Sequence, residues 1–335
     1  MVVIMKPDAG QPEVDGVVKR IKEYGLDTHI SRGEERTLIG IIGDERQVDF
    51  DSIAVLAGVE RAVPVLRPYK YVSRNVHPEG GHVRVEGLDI GKGLVFMAGP
   101  CSVEEESTTL RIAEAVKAAG ARVFRGGAYK PRTSPWSFQG LREKGLEILS
   151  RVKRETGLVI ITEVMDCEHI EMVGEHADIY QVGMRNMRNY ALLSKLGDAK
   201  KPVLLKRGDS STLEEWLAAA DYIVRNGNES TILCERGIRT FENYTRNTLD
   251  LSAVAAAKNE TYLPVIADPS HGTGRDELVA TMSYAAVAAG ADGLLLEVHT
   301  NPEKAWSDGK QCITPDRLKE IIETTKAIRA VLGGD

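Results

Sequence analysis

The chain has 335 residues, with 43 Lys and Arg against 49 Asp and Glu, for a formal charge of −6. Hydrophobic content of 42% and charged content of 27% are those of a folded globular protein, which excludes wholesale disorder, and the acidic balance gives no global attraction to nucleic acid. No apolar run reaches the roughly 18 residues of a membrane span, and the opening MVVIMKPDAG lacks the basic start and cleavage site of a signal peptide, so a cytoplasmic chain is expected.

MVVIMK reads as a strand. PEVDGVVKRIKEYG follows with Val14, Val17, Val18 and Ile21 at helical spacing and ends at Gly25. DTHISRGEERTLIGIIG reads as two strands around the turn Arg32-Gly33-Glu34, FDSIAVLAG as a short helix and RAVPVL as a last strand. The order β-α-β-β-α-β is that of a ferredoxin-like unit, expected over 1–66. It carries no catalytic constellation, which leaves packing, oligomerisation or ligand-binding regulation open to it.

Residues 67–81, with Pro68, Pro78, Gly80 and Gly81, read as a linker, and HVRVEGLDIGKG as a β-hairpin. From there strand-like runs alternate with amphipathic helices eight times: LVFMAGP, ARVFRGG, LVIITEV, ADIYQVG, KPVLLKRG, STILCERG, LPVIADPSH and ADGLLLEVH. In TLEEWLAAADYIVRNG the residues Leu213, Trp216, Leu217 and Ala220 share one face, and Ser211 with Glu214 is the expected capping box. Thr314 and Pro315 open a final helix with Leu318, Ile321, Ile322 and Ile328 on one stripe. Eight strand–helix pairs in about 240 residues predict an α/β protein with a (β/α)8 TIM barrel over 82–335, and a doubly wound sheet is the second choice. The usual nucleotide-binding glycine motifs are absent.

In such barrels the chemistry sits at the C-terminal strand ends. Two clusters gather there. The first is Arg125, Lys130, Arg132, Arg185, Lys206 and Arg236: guanidinium groups grip phosphate or carboxylate bidentately and lysine adds a point charge, so one or two small anions are the expected ligands. Lys206 alone also admits a Schiff-base role. The second is Cys101, His271, Glu297 and Asp308, a mixed donor set for one divalent ion such as Mn, Fe, Zn or Co. The four cysteines, at 101, 167, 234 and 312, form no CxxC pair and read as reduced thiols.

The motifs GPCS, RGGAYKPRTSP, QVGMRN, LLKRG, LCERGIRTFE, DPSHG and EVHTNPEKAWSDGKQ, in this order, resemble the 3-deoxy-D-arabino-heptulosonate 7-phosphate (DAHP) synthases of type Iβ. The N-terminal unit resembles the ferredoxin-like domain of that branch. The resemblance implies condensation of phosphoenolpyruvate with erythrose 4-phosphate at the head of the shikimate pathway, in a homotetramer with tyrosine or phenylalanine as feedback effector. It implies a metal on Cys101, His271, Glu297 and Asp308. Phosphoenolpyruvate falls to Arg125, Lys130, Arg185, Lys206 and Arg236, and erythrose 4-phosphate to Arg132, Thr133 and Ser134. Lys130 is the implied proton carrier, and Glu163 is placed near the attacking water. Asp209 and Met184 depart from the family pattern, and Cys312 stands close enough in sequence to Asp308 to approach Cys101. The sister enzyme, 3-deoxy-D-manno-octulosonate 8-phosphate synthase, is the alternative. The loop KPRTS favours the four-carbon sugar phosphate over it.

Overall fold

The computed structural model describes residues 2–32, 37–43, 48–63, 68–131, 134 and 136–333. The chain divides into two compact units, one ending at Pro68 and the other beginning at Tyr69.

In the first unit β1 (Val2–Met5), α1 (Gln11–Glu23), β2 (Asp27–Arg32), β3 (Thr37–Ile42), α2 (Phe50–Ala54) and β4 (Val59–Val63) follow the expected order. The sheet order is β2-β3-β1-β4, with β1 antiparallel to both β3 and β4 and β2 antiparallel to β3. This is the split βαβ arrangement. Val14, Val17 and Ile21 from α1 meet Val3, Met5, Ile39 and Val59 from the sheet in one core. Asp49 caps α2 by accepting the backbone N–H groups of Asp51 and Ser52. The expected turn residues Gly33 and Glu34, and Pro64 to Leu66 of the last strand, lie outside the described residues.

In the second unit, the segment after Pro68 does not run free as a linker. Tyr69 and Val72 are buried. The Asp221 carboxylate accepts the N–H groups of Lys70 at 3.2 Å and Val72 at 2.9 Å. The hairpin β5 (Val83–Val85) and β6 (Leu88–Ile90) comes next. Then β7 (Val95–Gly99), β8 (Val123–Arg125), β9 (Val159–Glu163), β10 (Ile179–Val182), β11 (Val203–Lys206), β12 (Thr231–Glu235), β13 (Val265–Ala267) and β14 (Gly293–Glu297) form a closed parallel barrel. The pairing of β14 with β7, from Gly293↔Val95 to Glu297↔Gly99, closes it and excludes the doubly wound sheet.

The helices α3 (Glu106–Ala119), α4 (Glu143–Thr156), α5 (Ile170–His176), α6 (Tyr190–Asp198), α7 (Leu213–Arg225), α8 (Leu251–Glu260), α10 (Asp276–Ala288) and α11 (Pro315–Val331) follow the strands in turn, with a short extra helix α9 (Pro269–Thr273) after β13. The capping box of α7 is one residue later than expected. Thr212 accepts the N–H of Glu215 while Glu215 accepts the N–H of Thr212. Ser211 instead closes the preceding turn, its N–H donating to Gly208 and its carbonyl accepting from Arg207 Nε. Thr314 and Pro315 start α11 as read. Among the described residues no helix is long and apolar enough to cross a membrane.

Strand side chains alternate between two cores, as the period of two requires. Phe96, Phe124, Ile160, Tyr180, Leu205 and Leu296 face the helices. Met97, Val123, Ile161, Ile179, Leu204, Ile232, Ile266 and Leu295 fill the barrel, joined by Val83, Val85, Leu88 and Ile90 of the hairpin. The hairpin therefore plugs the N-terminal end of the barrel and leaves the other end open.

Candidate active site

The same alternation builds the open end. Two residues beyond the apolar layer, β8 presents Arg125, β9 Glu163, β10 Gln181, β11 Lys206 and β14 Glu297, with Arg236 and Asp268 just past β12 and β13. All face inward, above the inward apolar residues two positions earlier in their strands. The neighbouring charges have opposite phase: Arg207 and Glu235 point outward and pair at 2.9 Å, and Arg207 also reaches Asp250 at 3.0 Å. The dipeptides Lys206-Arg207 and Glu235-Arg236 thus each give one residue to the mouth and one to the strand–helix layer.

On one side of the mouth, ligand atoms of Cys101, Glu297 and Asp308 lie within 4.8 Å of one another. The Cys101 thiol donates to Asp308 Oδ2 at 2.9 Å, and Lys130 Nζ stands 3.0 Å from Cys101 Sγ. Burial and the Glu297 carboxylate push the Cys101 thiol up to about 11. Asp308 holds a left-handed backbone, with φ 51° and ψ 30°, uncommon for a residue with a Cβ though more accessible to aspartate than to most. His271 lies beside this trio on α9. Its Nδ1 is held by Asp268 Oδ2 at 2.7 Å, and its Nε2 faces Glu297 Oε1 at 3.3 Å.

Burial lowers His271 to about 4, so at neutral pH the imidazole is uncharged. Burial alone would raise Glu297, but His271, Arg125 and Lys130 outweigh it and hold it at about 2. With Nδ1–H given to Asp268, the Nε2 lone pair and a carboxylate oxygen confront each other at 3.3 Å. Two acceptors at that separation call for a cation between them. A thiol, an imidazole with its tautomer fixed by a carboxylate, and two carboxylates therefore fit a borderline divalent ion.

The rest of the mouth is a cavity of about 330 Å³ lined by Arg125, Lys130, Arg185, Lys206, Arg236 and Arg246, with Ser134, Glu163, Gln181, Met184, His271 and Asp308. Arg125 Nη1 is fixed by Glu297 at 2.7 Å and by the Pro100 carbonyl at 3.0 Å, and Lys206 Nζ by Asp268 at 2.6 Å. Burial lowers Arg236, against the pull of Asp268. Burial raises Glu163, against the cations Lys130, Lys206, Arg125 and Arg185.

Two glycines permit this crowding. A Cβ on Gly127 would lie 2.8 Å from Lys130 Cδ, and one on Gly183 would lie 2.1 Å from Glu163 Oε1. Six cations around so small a space, with few carboxylates among them, suit one or two multiply charged anions.

Of the residues singled out in the sequence, Arg125, Lys130, Ser134, Glu163, Arg185, Lys206, Arg236, His271 and Asp308 line the cavity, while Cys101 and Glu297 are buried beside it. Arg132 and Thr133 lie outside the described residues. Asp209 is not among the lining residues, and its carbonyl accepts the N–H of Arg239. Cys101 and Cys312 are both free thiols, the latter 3.5 Å from the Asp308 carbonyl. Sequence reasoning assigned no role to Gln181, Asp268, Gln311 and Arg246. Inward parity on β10 and β13 points to the first two. Nothing local marks the others, which come from long loops.

Comparison with known proteins gives the same picture from outside. The model of the DAHP synthetase I family matches residues 80–332, and that of the DAHP synthase ferredoxin-like domain matches residues 1–67. The chain is 49% identical over 334 residues to phospho-2-dehydro-3-deoxyheptonate aldolase of Thermotoga maritima, covering 99% of both chains. It is 33% identical over 270 residues to 2-dehydro-3-deoxyphosphooctonate aldolase of Geobacter sulfurreducens, covering 75% of this chain and 97% of that one. A crystal structure of the Thermotoga maritima DAHP synthase superposes with a TM-score of 0.96 at 48% identity, covering 100% of this chain and 98% of that one. A truncated form of the Thermotoga maritima synthase gives 0.75 at 46% identity over 80% of this chain and 99% of its own. With this barrel, this mouth and a family match that spans both units, the chain belongs to the DAHP synthetase I family, in the form that carries a ferredoxin-like domain.

Proposed function

We propose that the barrel joins phosphoenolpyruvate to erythrose 4-phosphate and water, releasing DAHP and inorganic phosphate. The observation that carries this reading is the juxtaposition, in one mouth, of a ring of cations and a divalent-ion donor set. C3 of phosphoenolpyruvate forms a bond to the aldehyde carbon of the sugar phosphate, water adds at C2, and the C2–O bond to phosphorus breaks. Arg125, Lys130, Arg185, Lys206 and Arg236 hold phosphoenolpyruvate through its phosphate and carboxylate. Ser134, with Arg132 and Thr133, holds the second phosphate. These contacts bring two anions together against their mutual repulsion, which is an orientational and electrostatic contribution.

Cys101, His271, Glu297 and Asp308 would hold the metal, which when bound supplies Lewis-acid polarisation of an aldehyde oxygen. Lys130, with Nζ 3.0 Å from Cys101 Sγ and open to the cavity, stands where it can pass a proton to that oxygen. Glu163 faces the cavity among four cations. An anion that engages those cations withdraws their hold on the carboxylate, strengthens it as a base, and fits it to take a proton from the water that adds at C2. Lys206 is bound to Asp268 rather than presented bare to a carbonyl, which disfavours a Schiff-base reaction. The ferredoxin-like unit is assigned to feedback control by tyrosine or phenylalanine in a homotetramer, on the strength of its family match.

The test is phosphate release from phosphoenolpyruvate. Release that requires erythrose 4-phosphate and falls at least a hundredfold in Glu163→Gln, of the order expected for loss of a general base, supports the reading. Release that requires arabinose 5-phosphate instead assigns the chain to the octulosonate reaction.

A further inference from the structure

Arg246 belongs to none of the strand ends. It comes from the loop between β12 and α8, is 41% exposed, and, unlike the buried Arg125 and Lys130 that contact Glu297 and Cys101, reaches the donor set from the exposed rim of the cavity. Its Nη1 lies 3.5 Å from Asp308 Oδ1 and 3.0 Å from Gln311 Oε1. Gln311 is buried, and its Nε2 donates to Glu297 Oε2 at 2.7 Å. A single guanidinium at the mouth is thereby linked to two of the four candidate ligands, to Asp308 directly and to Glu297 through one amide.

We propose that Arg246 and Gln311 form a positioning relay that couples anion binding in the cavity to metal binding below it. Without an anion, Arg246 occupies Asp308 Oδ1 and opposes a second cation by its charge. A tetrahedral dianion in the cavity competes for the guanidinium, which is exposed where those of Arg125 and Arg236 are buried, and whose contact to Asp308 is long at 3.5 Å. Asp308 is then released to the metal, and Gln311 keeps Glu297 in place while Arg246 moves. Occupancy of the mouth therefore tightens the metal, and by thermodynamic reciprocity the metal tightens the anion by the same factor.

This inference rests on the metal reading given above, and calorimetry separates the two. Mn²⁺ is titrated into the metal-stripped full chain, with and without saturating inorganic sulfate, a tetrahedral dianion that leaves manganese in solution. The wild type is expected to bind Mn²⁺ about fivefold or more tightly with sulfate present, the lower end of ordinary coupling between sites. Arg246→Gln is expected to bind Mn²⁺ more tightly than the wild type in sulfate-free buffer and to lose most of the sulfate effect, with Arg246→Lys intermediate.

Retention of the wild-type sulfate ratio in Arg246→Gln would overturn the relay while leaving the metal site standing. Absence of Mn²⁺ binding by the wild type would overturn both. Gln311→Leu keeps every charge in the cavity. It is expected to weaken Mn²⁺ binding roughly tenfold, as loss of a hydrogen bond to a ligand does, and unchanged affinity there would remove Gln311 from the relay. Arg246 is exposed, so its substitution leaves the fold intact, and a melting curve verifies this for each variant.

Discussion

Cys101 shows how a single side chain sets conditions on the site. Its thiol is pushed up to about 11 by burial and Glu297, so a divalent ion that takes the thiolate must displace a proton at neutral pH. His271, lowered to about 4, and Glu297, held at about 2, have none to give. Apparent Mn²⁺ affinity should rise about tenfold per pH unit between about pH 6 and pH 9, the slope of one released proton. In Cys101→Asp the slope should vanish. A flat wild-type profile in calorimetry would contradict thiolate ligation.

His271 makes a second demand, on the metal-free protein. Its folded value of about 4 lies below its ordinary 6.5, so between these limits the unfolded chain binds a proton that the folded chain refuses. Stability therefore falls as pH drops through that window, by about 3 kcal/mol in all. Urea midpoints should show a shallower fall in His271→Gln.

The candidate donor set and the strand-end cations were legible because polar and charged side chains stand out where an apolar strand ends. Asp268 was read only as part of a motif, since its work on Lys206 and His271 depends on inward parity. Arg246 reaches Asp308 across 62 residues of chain, and no local pattern carries that distance.

At the scale of elements, periodicity located the helices and strands, while caps set their starting residues. The cap of α7 shifted from Ser211 to Thr212 because Ser211 was already engaged with Gly208 and Arg207. Two residue types that cap equally well stand side by side there, and only the turn before them distinguishes the two. Thr212→Ala should cost about 1 kcal/mol of stability, read from urea unfolding, and no change would return the cap to its neighbour.

The β5–β6 hairpin was legible as a hairpin and not as a plug, because its partners lie on the barrel strands themselves. Ile90 is fully buried among the interior residues at the end remote from Arg125 and Glu297. Ile90→Ala should cost about 2–5 kcal/mol with turnover unchanged at temperatures where the variant stays folded. A fall in turnover without a fall in stability would show that the two ends of the barrel are coupled.

At the scale of the whole chain, eight strand–helix repeats made the barrel legible before any pairing was known, and the β14–β7 ladder completed it. The boundary was less legible. Residues 69–81 have the composition of a linker, yet Asp221, about 150 positions further on, accepts two of their N–H groups. Residues 69–335 should therefore fold cooperatively on their own, keep turnover and lose any response to tyrosine or phenylalanine. Inhibition retained by this fragment would move the effector site onto the barrel.

The central claim is that one mouth holds both a divalent ion and the two substrates of DAHP formation. Its most direct test is steady-state turnover by the metal-stripped full chain, before and after Mn²⁺ is added back, with erythrose 4-phosphate or arabinose 5-phosphate as acceptor. DAHP formed only with Mn²⁺ and only from erythrose 4-phosphate is the expected result. Equal turnover without metal, or turnover with arabinose 5-phosphate alone, would contradict it.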